Sequence, residues 1–411
     1  MMRMKSKKQL TMALALTLAL GGSVPVWAAN LNNQKLTKGD WELQEELQME
    51  NSQVTADQVS LDGTNIPAKD APVFMNLSSL EGKKGIGFSN LNVSSSSLWT
   101  EGVKVDGSSL AAPSISINGA TTAKDNQSPS FFGIRTDAAA DYTTYKDVPN
   151  QLKTDWLHVD GVTTDTALQV YGAYLGPTDL SPYTEGGNTN VTVENVSNTT
   201  DSPDGALAFG LGNNLSLFDL KNPGEGKDKD IPFVVTGNTQ IRNISSTYGS
   251  AVGMTLEHVS GFNMKDSHTD FHDLKISDIH GGDLSVGLYG GVGVVNVENA
   301  DINMTGKQNE YAGLYTASVP DYQSASLQQF AIAGPFLGNI NLSNPEGTYT
   351  INGNVLADTG NHLQMSEAAY QLYKKMYEDS RASEKDKEDI KTALDALAST
   401  IQYEQSTGKI N

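Results

Sequence analysis

The middle of the chain alternates between apolar and polar residues over short segments that are separated by Asn, Asp, Gly and Ser. This period of two is typical of β-strands that bury every second side chain, and the separating residues are those that favour turns. A glycine between apolar neighbours recurs inside these segments. It occurs in Ile86-Gly87-Phe88, Phe132-Gly133-Ile134, Tyr171-Gly172-Ala173, Phe209-Gly210-Leu211, Val252-Gly253-Met254, Val286-Gly287-Leu288 and Ala312-Gly313-Leu314.

A second recurring segment precedes several of the glycine segments. Its copies are Val193-Glu194-Asn195-Val196-Ser197, Ile241-Arg242-Asn243-Ile244-Ser245 and Ile276-Ser277-Asp278-Ile279-His280. Similar segments favour a coil of parallel strands over an antiparallel sandwich or barrel, whose strands need not resemble one another. In such a coil we expect the glycines to lie where layers approach closely and the asparagines to stack in ladders. The sequence therefore predicts an all-β protein with a parallel β-helix over residues 73–360, and a sandwich or antiparallel barrel remains the alternative.

The two ends of the chain have different patterns. Residues 29–72 are polar, with a short acidic amphipathic stretch around Trp41 and Leu43, and we predict that they form a partly ordered polar segment or an N-terminal cap. After Gly360 the apolar period changes from 2 to 3.6, which predicts a helical hairpin over residues 361–411 that ends in the start of a further strand. The apolar stripes of the two predicted helices are Ala369, Leu372, Tyr373 and Met376, and Ile390, Leu394, Leu397 and Ile401.

The first 28 residues have the three parts of a secretory signal peptide. Basic residues from Arg3 to Lys8 precede an apolar stretch from Leu10 to Leu20, and Val26-Trp27-Ala28 offers a small-x-small cleavage site. The apolar stretch is about half of the ~20 residues that a membrane-spanning helix needs. We therefore predict cleavage after Ala28 and export, with no direct membrane insertion after the signal is removed.

Composition excludes several classes of chemistry and partner. The 411 residues include no cysteine, which excludes disulfides, thiolate zinc sites and cysteine nucleophiles. The 28 Lys and Arg are outnumbered by 48 Asp and Glu, for a formal net charge of −20. No basic patch offsets this acidic excess, so we expect no nucleic-acid partner.

One polar region concentrates four of the six histidines. If the run around them is a strand, His268, Asp270 and His272 share a face, and imidazole with carboxylate can bind a divalent metal. A solvated strand face shows the same spacing, so we predict no metal site and keep these three residues as the candidate ligands. The full set is His258, Asp266, His268, Asp270, His272, Asp273, Asp278, His280 and Asp283.

Catalytic motifs are few. Glycoside hydrolysis needs carboxylates that converge on a groove, and Ile279-His280-Gly281-Gly282-Asp283 has only a faint similarity to the Gly-His-Gly element of polygalacturonases. Ser250 lacks the second glycine of a Gly-x-Ser-x-Gly nucleophile. No phosphate-binding loop, dinucleotide fingerprint or HExxH is present. We therefore expect no catalytic residues and no cofactor, with a polysaccharide-acting hydrolase or lyase as the alternative.

The signal peptide, the cysteine-free acidic repeat of glycine-centred strands and the segment Thr350-Ile351-Asn352-Gly353-Asn354-Val355-Leu356-Ala357 together resemble the passenger region of a bacterial autotransporter of the pertactin-like class. The resemblance implies a right-handed parallel β-helix that serves in surface display, adhesion or host interaction. It also implies a location at the cell surface, in the outer membrane or outside the cell, or in the periplasm if no barrel is available. Binding would then lie in the longer loops, such as residues 120–150 and 176–190.

The sequence departs from this family at its C-terminal end. Such proteins end in a transmembrane β-barrel of alternating strands, and nothing after Gly360 has that pattern. We therefore expect a truncated or split gene product whose outer-membrane β-barrel translocator is encoded separately, or a protein released in soluble form. Host or cell-surface ligands are the expected partners.

Overall fold

A computed structural model describes residues 29–141, 146–202, 206–213, 216–217, 229–256, 268–282, 285–290, 294–304, 311–316, 339–341, 346–352 and 354–357. The predicted signal peptide at 1–28, with its cleavage site at Ala28, lies outside these residues. The predicted helical hairpin at 361–411 also lies outside them.

The described residues are almost entirely β-strands, and their single helical element is a 3₁₀ turn at Gly63–Asn65. The strands, numbered in chain order, are β1 Ala29–Asn32, β2 Lys35–Thr37, β3 Asp40–Leu43, β4 Leu47–Glu50, β5 Gln53–Asp62, β6 Val73–Asn76, β7 Ser79–Val93, β8 Trp99–Asp106, β9 Ser109–Thr122, β10 Ser130–Asp137, β11 Ala139–Asp141, β12 Lys146–Val148, β13 Asn150–Thr164, β14 Gln169–Leu175, β15 Thr178–Ser181, β16 Asn190–Asn198, β17 Leu207–Asn213, β18 Ser216–Leu217, β19 Lys229–Asp230, β20 Phe233–Ser246, β21 Ala251–Leu256, β22 His268–Gly281, β23 Ser285–Gly290, β24 Val294–Asn303, β25 Tyr311–Thr316, β26 Asn339–Asn341, β27 Tyr349–Asn352 and β28 Asn354–Ala357.

Two large parallel sheets contain nearly all of these strands. Sheet A has 11 strands in the order β1-β4-β6-β8-β10-β14-β17-β21-β23-β25-β28. Sheet B has 13 strands along the path β2-β5-β7-β9-β13-β16-β20-β22-β24-β26, with β3, β15 and β27 beside it. The chain therefore returns to each sheet one strand further along, which is the topology expected of a solenoid. Antiparallel pairing in the described residues is confined to β11 with β12 and β18 with β19.

The interior is built from apolar residues stacked in register along the axis. The largest row in sheet B crosses eight consecutive strands, and its members are all buried. Each position pairs with the next through the strand register, so side chains of similar shape lie about 4.8 Å apart. Stacking of this kind buries the inward-facing apolar side chains of each strand against the equivalent side chains of the neighbouring strands. The row is Leu61, Phe88, Ile117, Val159, Val193, Ile241, Ile276 and Ile302.

The recurring glycines form a column in sheet A. A Cβ placed on Gly133 would lie 2.5 Å from the carbonyl oxygen of Gly172, and one on Gly210 would lie 2.5 Å from that of Gly253. The predicted close approach of layers is therefore confirmed for these glycines. Gly87 is not part of the column, because it lies in sheet B, where a Cβ would meet only the Ser116 hydroxyl at 3.3 Å. The N-terminal end of the column is instead Gly102 on β8, where a Cβ would lie 2.8 Å from the carbonyl oxygen of Gly133.

A second column bends the long strands of sheet B. Its members have a left-handed backbone with φ between 52° and 86°, which Gly and Asn adopt with the least strain. Side-chain amides link some members, since Asn243 Nδ2 donates to Asn195 Oδ1 at 2.5 Å. The predicted stacking of asparagines is limited in this column to the pair Asn195 and Asn243, because Gly119, Gly161 and Asp278 occupy other positions. The column is Asn90, Gly119, Gly161, Asn195, Asn243 and Asp278.

The two parallel sheets begin earlier in the chain than the sequence pattern indicates. Strands β1 to β5, at residues 29–62, belong to the same two sheets as the rest of the chain. Trp41 and Leu43 point inward and are buried in strand β3, so the amphipathic stretch follows a strand period. Short strands with polar outer faces produced the polar composition from which a separate cap was predicted.

The two predicted binding loops contain regular structure. The segment 120–150 includes the end of β9, all of β10 and the hairpin of β11 and β12. The segment 176–190 includes β15, which pairs in parallel with β13, and a turn that follows it. Asp155 holds that turn, because its Oδ1 accepts from the backbone N–H of Thr184 at 2.8 Å.

Candidate functional site

A group of buried and half-buried charges lies on the outer face of sheet A, where β8 and β10 run side by side. We call it the Arg135 cluster, and it consists of Trp99, Glu101, Lys104, Asp106, Phe132, Arg135 and Asp137. The Arg135 guanidinium lies 4.1 Å from the centre of the Trp99 ring. Its Nη1 donates to Glu101 Oε1 at 3.0 Å, and its Nη2 lies 2.6 Å from Asp137 Oδ2.

Burial perturbs the carboxyl groups of the Arg135 cluster. It raises the pKa of Asp106 to about 6, although Lys104 Nζ, 3.5 Å from Asp106 Oδ2, acts in the opposite direction. Burial also raises the pKa of Asp137 against the opposing charges of Arg135 and Lys104. Among the described residues, Asp106 Oδ1 and Arg135 Nε are buried without a hydrogen-bond partner.

The Arg135 cluster joins two paired strands of sheet A by charge. Arg135 lies on β10 and Glu101 on β8, so their ion pair bridges adjacent strands, whereas the pair of Arg135 with Asp137 lies within β10. Cation–π contact with Trp99 and Phe132 covers the guanidinium. The arrangement holds charge in a fixed place, and the Glu101 and Asp137 carboxylates are already engaged by Arg135.

A second group lies on the outer face of sheet B, across β13, β16 and β20. We call it the Trp156 surface, and it consists of Trp156, His158, Asp160, Thr192, Glu194 and Arg242. The alternation of β13 turns Leu157 and Val159 inward and Trp156, His158 and Asp160 outward. Trp156 is 52% exposed, and its Nε1 donates to Thr192 Oγ1 at 3.2 Å. The exposed indole therefore has a fixed orientation.

Three residues of the Trp156 surface converge on one point. One ligand atom each from His158, Asp160 and Glu194 lie within 4.8 Å of one another. His158 Nε2 is 2.9 Å from Glu194 Oε1, and Arg242 binds the other oxygen, Oε2, at 2.5 Å. The hydrogen bond from Arg242 is the main cause that holds the pKa of Glu194 below its ordinary value.

The histidines singled out in the sequence lie elsewhere on sheet B. His268, Asp270 and His272 share the outer face of β22, as predicted. They separate into two pairs, because His268 Nδ1 is 3.0 Å from Asp270 Oδ2 whereas His272 Nδ1 is 2.6 Å from Glu298 Oε2. Within the described part of the chain they do not form a three-ligand group. His258, Asp266 and Asp283 lie outside the described residues.

The repeated segments of the sequence carry a signal for part of the Trp156 surface. The repeated segments starting at Val193, Ile241 and Ile276 are in register, so their alignment alone places Glu194 beside Arg242. His158 and Asp160 come from a strand that lacks that repeated segment. Their position beside Glu194 follows only from the pairing of β13 with β16.

No helix in the described residues is long and apolar enough to span a membrane. Comparison of the chain with protein-family models, with curated proteins and with solved structures gives no match to any of them.

Proposed function

We propose that this chain is an exported, non-enzymatic, right-handed parallel β-helix that resembles an autotransporter passenger region and serves in surface display, adhesion or host interaction. The observation that carries the proposal is the division of the long sheet B strands into an apolar inner face and a polar outer face. The inner row from Leu61 to Ile302 is buried throughout, so the polar side chains of these strands face the outside of the rod. A long lateral surface with fixed side chains suits binding to a large partner.

The acidic net charge of the chain is compatible with an exported protein that stays in solution. A formal charge of −20 keeps such a rod dispersed and repels anionic lipid. A C-terminal helical hairpin at 361–411 and a separately encoded outer-membrane barrel complete the proposal.

The proposal is tested by expressing the full chain in a bacterium that has an outer membrane, with and without a co-expressed gene for an outer-membrane barrel translocator. We expect the product to begin at Ala29 by N-terminal sequencing, and to be cleaved by protease added to intact cells when the barrel is present. A cytoplasmic product that retains Met1 contradicts the proposal.

An activity assay of the purified mature chain on polysaccharides distinguishes this proposal from the alternative, a polysaccharide-acting hydrolase or lyase. We expect no release of reducing ends from neutral or uronate polysaccharides. Turnover that is abolished by Asp270→Asn overturns the non-enzymatic proposal, because Asp270 is one of the carboxylates that the sequence pattern placed in the polar cluster.

A further inference from the structure

We propose that His158, Asp160 and Glu194 on the lateral face of sheet B form a binding site for one divalent transition-metal ion of the Zn²⁺ or Co²⁺ type. The site goes beyond display or adhesion and does not depend on either.

The geometry of the donor atoms fits a single ion. Ligands of a zinc ion lie about 2.0–2.2 Å from the metal, so two ligand atoms on one ion are separated by about 3–4 Å. His158 Nε2 and Glu194 Oε1 are 2.9 Å apart, and the three ligand atoms all lie within 4.8 Å. Small side-chain rotations therefore bring all three donors to one ion without a change in the backbone.

The neighbouring hydrogen bonds orient the carboxylates as outer partners do in metal sites. Asn195 Nδ2 donates to Asp160 Oδ1 at 2.6 Å, which leaves Oδ2 for an ion. Arg242 binds Glu194 Oε2 and leaves Oε1 directed at His158. Partners of this kind fix the rotamer of a ligand and typically change metal affinity by 10–100-fold when they are removed.

The charge of the site suits a dication. Asp160, Glu194 and Asp278 all act electrostatically on Arg242 or bind it directly, and together with it they leave two negative charges. The His158 side chain is about one-third exposed, which gives an ion access from solvent. One nitrogen with two carboxylate oxygens favours a borderline transition metal over Ca²⁺ or Mg²⁺, which prefer oxygen ligands alone.

The test is isothermal titration calorimetry, in which ZnCl₂ is added to the purified mature chain in a buffer without chelator. We expect one ion per chain, and a dissociation constant at least 10-fold higher in both His158→Ala and Glu194→Gln. The matched control is His272→Ala, because His272 also faces a carboxylate at 2.6 Å but lacks a third ligand among the described residues. Its affinity for zinc should equal that of the wild type.

A second readout places the ion. The Trp156 and His158 rings are 6.5 Å apart, so bound Co²⁺ should quench Trp156 fluorescence, and Trp156→Phe should remove that part of the quenching without changing the affinity. Absence of binding up to about 1 mM ZnCl₂ overturns the proposal. Undiminished binding by folded His158→Ala and Glu194→Gln, or loss of binding in His272→Ala alone, also overturns it.

Discussion

Single glycines determine how closely the coils of sheet A approach one another. Gly133, Gly172, Gly210 and Gly253 follow each other along the axis, and each directs its missing side chain at the backbone of the next. Any Cβ there would enter the space of a carbonyl oxygen, which a rigid backbone cannot vacate. Glycine is therefore required at these positions because the neighbouring strand leaves no room for a Cβ atom.

Replacing Gly210 by alanine tests this contact. The new Cβ would lie 2.5 Å from the Gly253 oxygen and 2.6 Å from Ile241 Cγ2, so we expect a loss of about 3 kcal/mol in the free energy of unfolding. The midpoint of urea unfolding measures it. The control is Gly87→Ala, whose Cβ meets only a hydroxyl that can rotate, and equal losses in the two variants would contradict the assignment of the column.

Asp106 gives the stability of the protein a dependence on pH. Its pKa in the folded protein, about 6, is above the ordinary value of 3.8, so the folded state holds this proton more tightly than the unfolded state does. The stability linked to this group is fully present below the unfolded pKa and is lost as the pH rises through about 6. At neutral pH the protein therefore carries the cost of a buried carboxylate.

We expect Asp106→Asn to raise the thermal midpoint at about pH 7.5 and to reduce its decline between about pH 4 and pH 6.5. The amide keeps the shape of the side chain and removes the charge, although it also loses the contact with Lys104 at 3.5 Å. Thermal unfolding followed by circular dichroism at several pH values measures the effect. The exposed Asp179→Asn on β15 serves as control and should leave the pH profile as it is.

At the scale of the element, hydroxyl groups connect the corners where sheet A strands lead into sheet B. The backbone N–H of Ser52 donates to Ser78 Oγ at 3.0 Å, that of Ser78 to Ser108 Oγ at 2.9 Å, and that of Ser108 to Asn150 Oδ1 at 3.0 Å. Each of the Ser78 and Ser108 hydroxyls also donates to a carbonyl within its own coil. The corner thus continues the hydrogen-bonding of the sheets where the strands have ended.

Ser78→Ala removes one acceptor from this corner and leaves the buried N–H of Ser52 without its partner. An unsatisfied buried donor costs about 1–3 kcal/mol, so the urea midpoint should fall accordingly. Ser114→Ala, at an exposed position of β9, provides the comparison and should change the midpoint little. If both variants unfold at the same urea concentration, the corner bonds contribute nothing to stability.

Elements were predictable to the extent that their repeats resemble one another. The segments at Val193, Ile241 and Ile276 align in sequence and are in register in sheet B, because the same apolar positions face the same interior. Gly87 was misassigned because an apolar-Gly-apolar triplet does not say which sheet it occupies. Separation of the His272 and His268 pairs depends on Glu298 of the next strand, which local spacing does not reveal.

At the scale of the whole molecule, the described chain is a stack in which each coil bonds to its two neighbours. The polar residues on the outer face of sheet B are regularly spaced from strand to strand. The Trp156 surface lies on β13, β16 and β20, and the His268 and His272 pairs lie on the following strands β22 and β24. The parallel pairing and the apolar rows follow from the period of two. The charged clusters do not, since they depend on which polar residues the register places side by side.

In-register stacking has a consequence for how such a chain changes over evolutionary time. Because the same left-handed corner and the same apolar row recur from Asn90 to Asp278, one turn of the chain is interchangeable with the next at the level of the backbone. Duplication or deletion of a whole turn then lengthens or shortens the molecule while every remaining layer keeps neighbours of the same kind. Reach, rather than shape, is the property that selection can adjust most freely in this architecture.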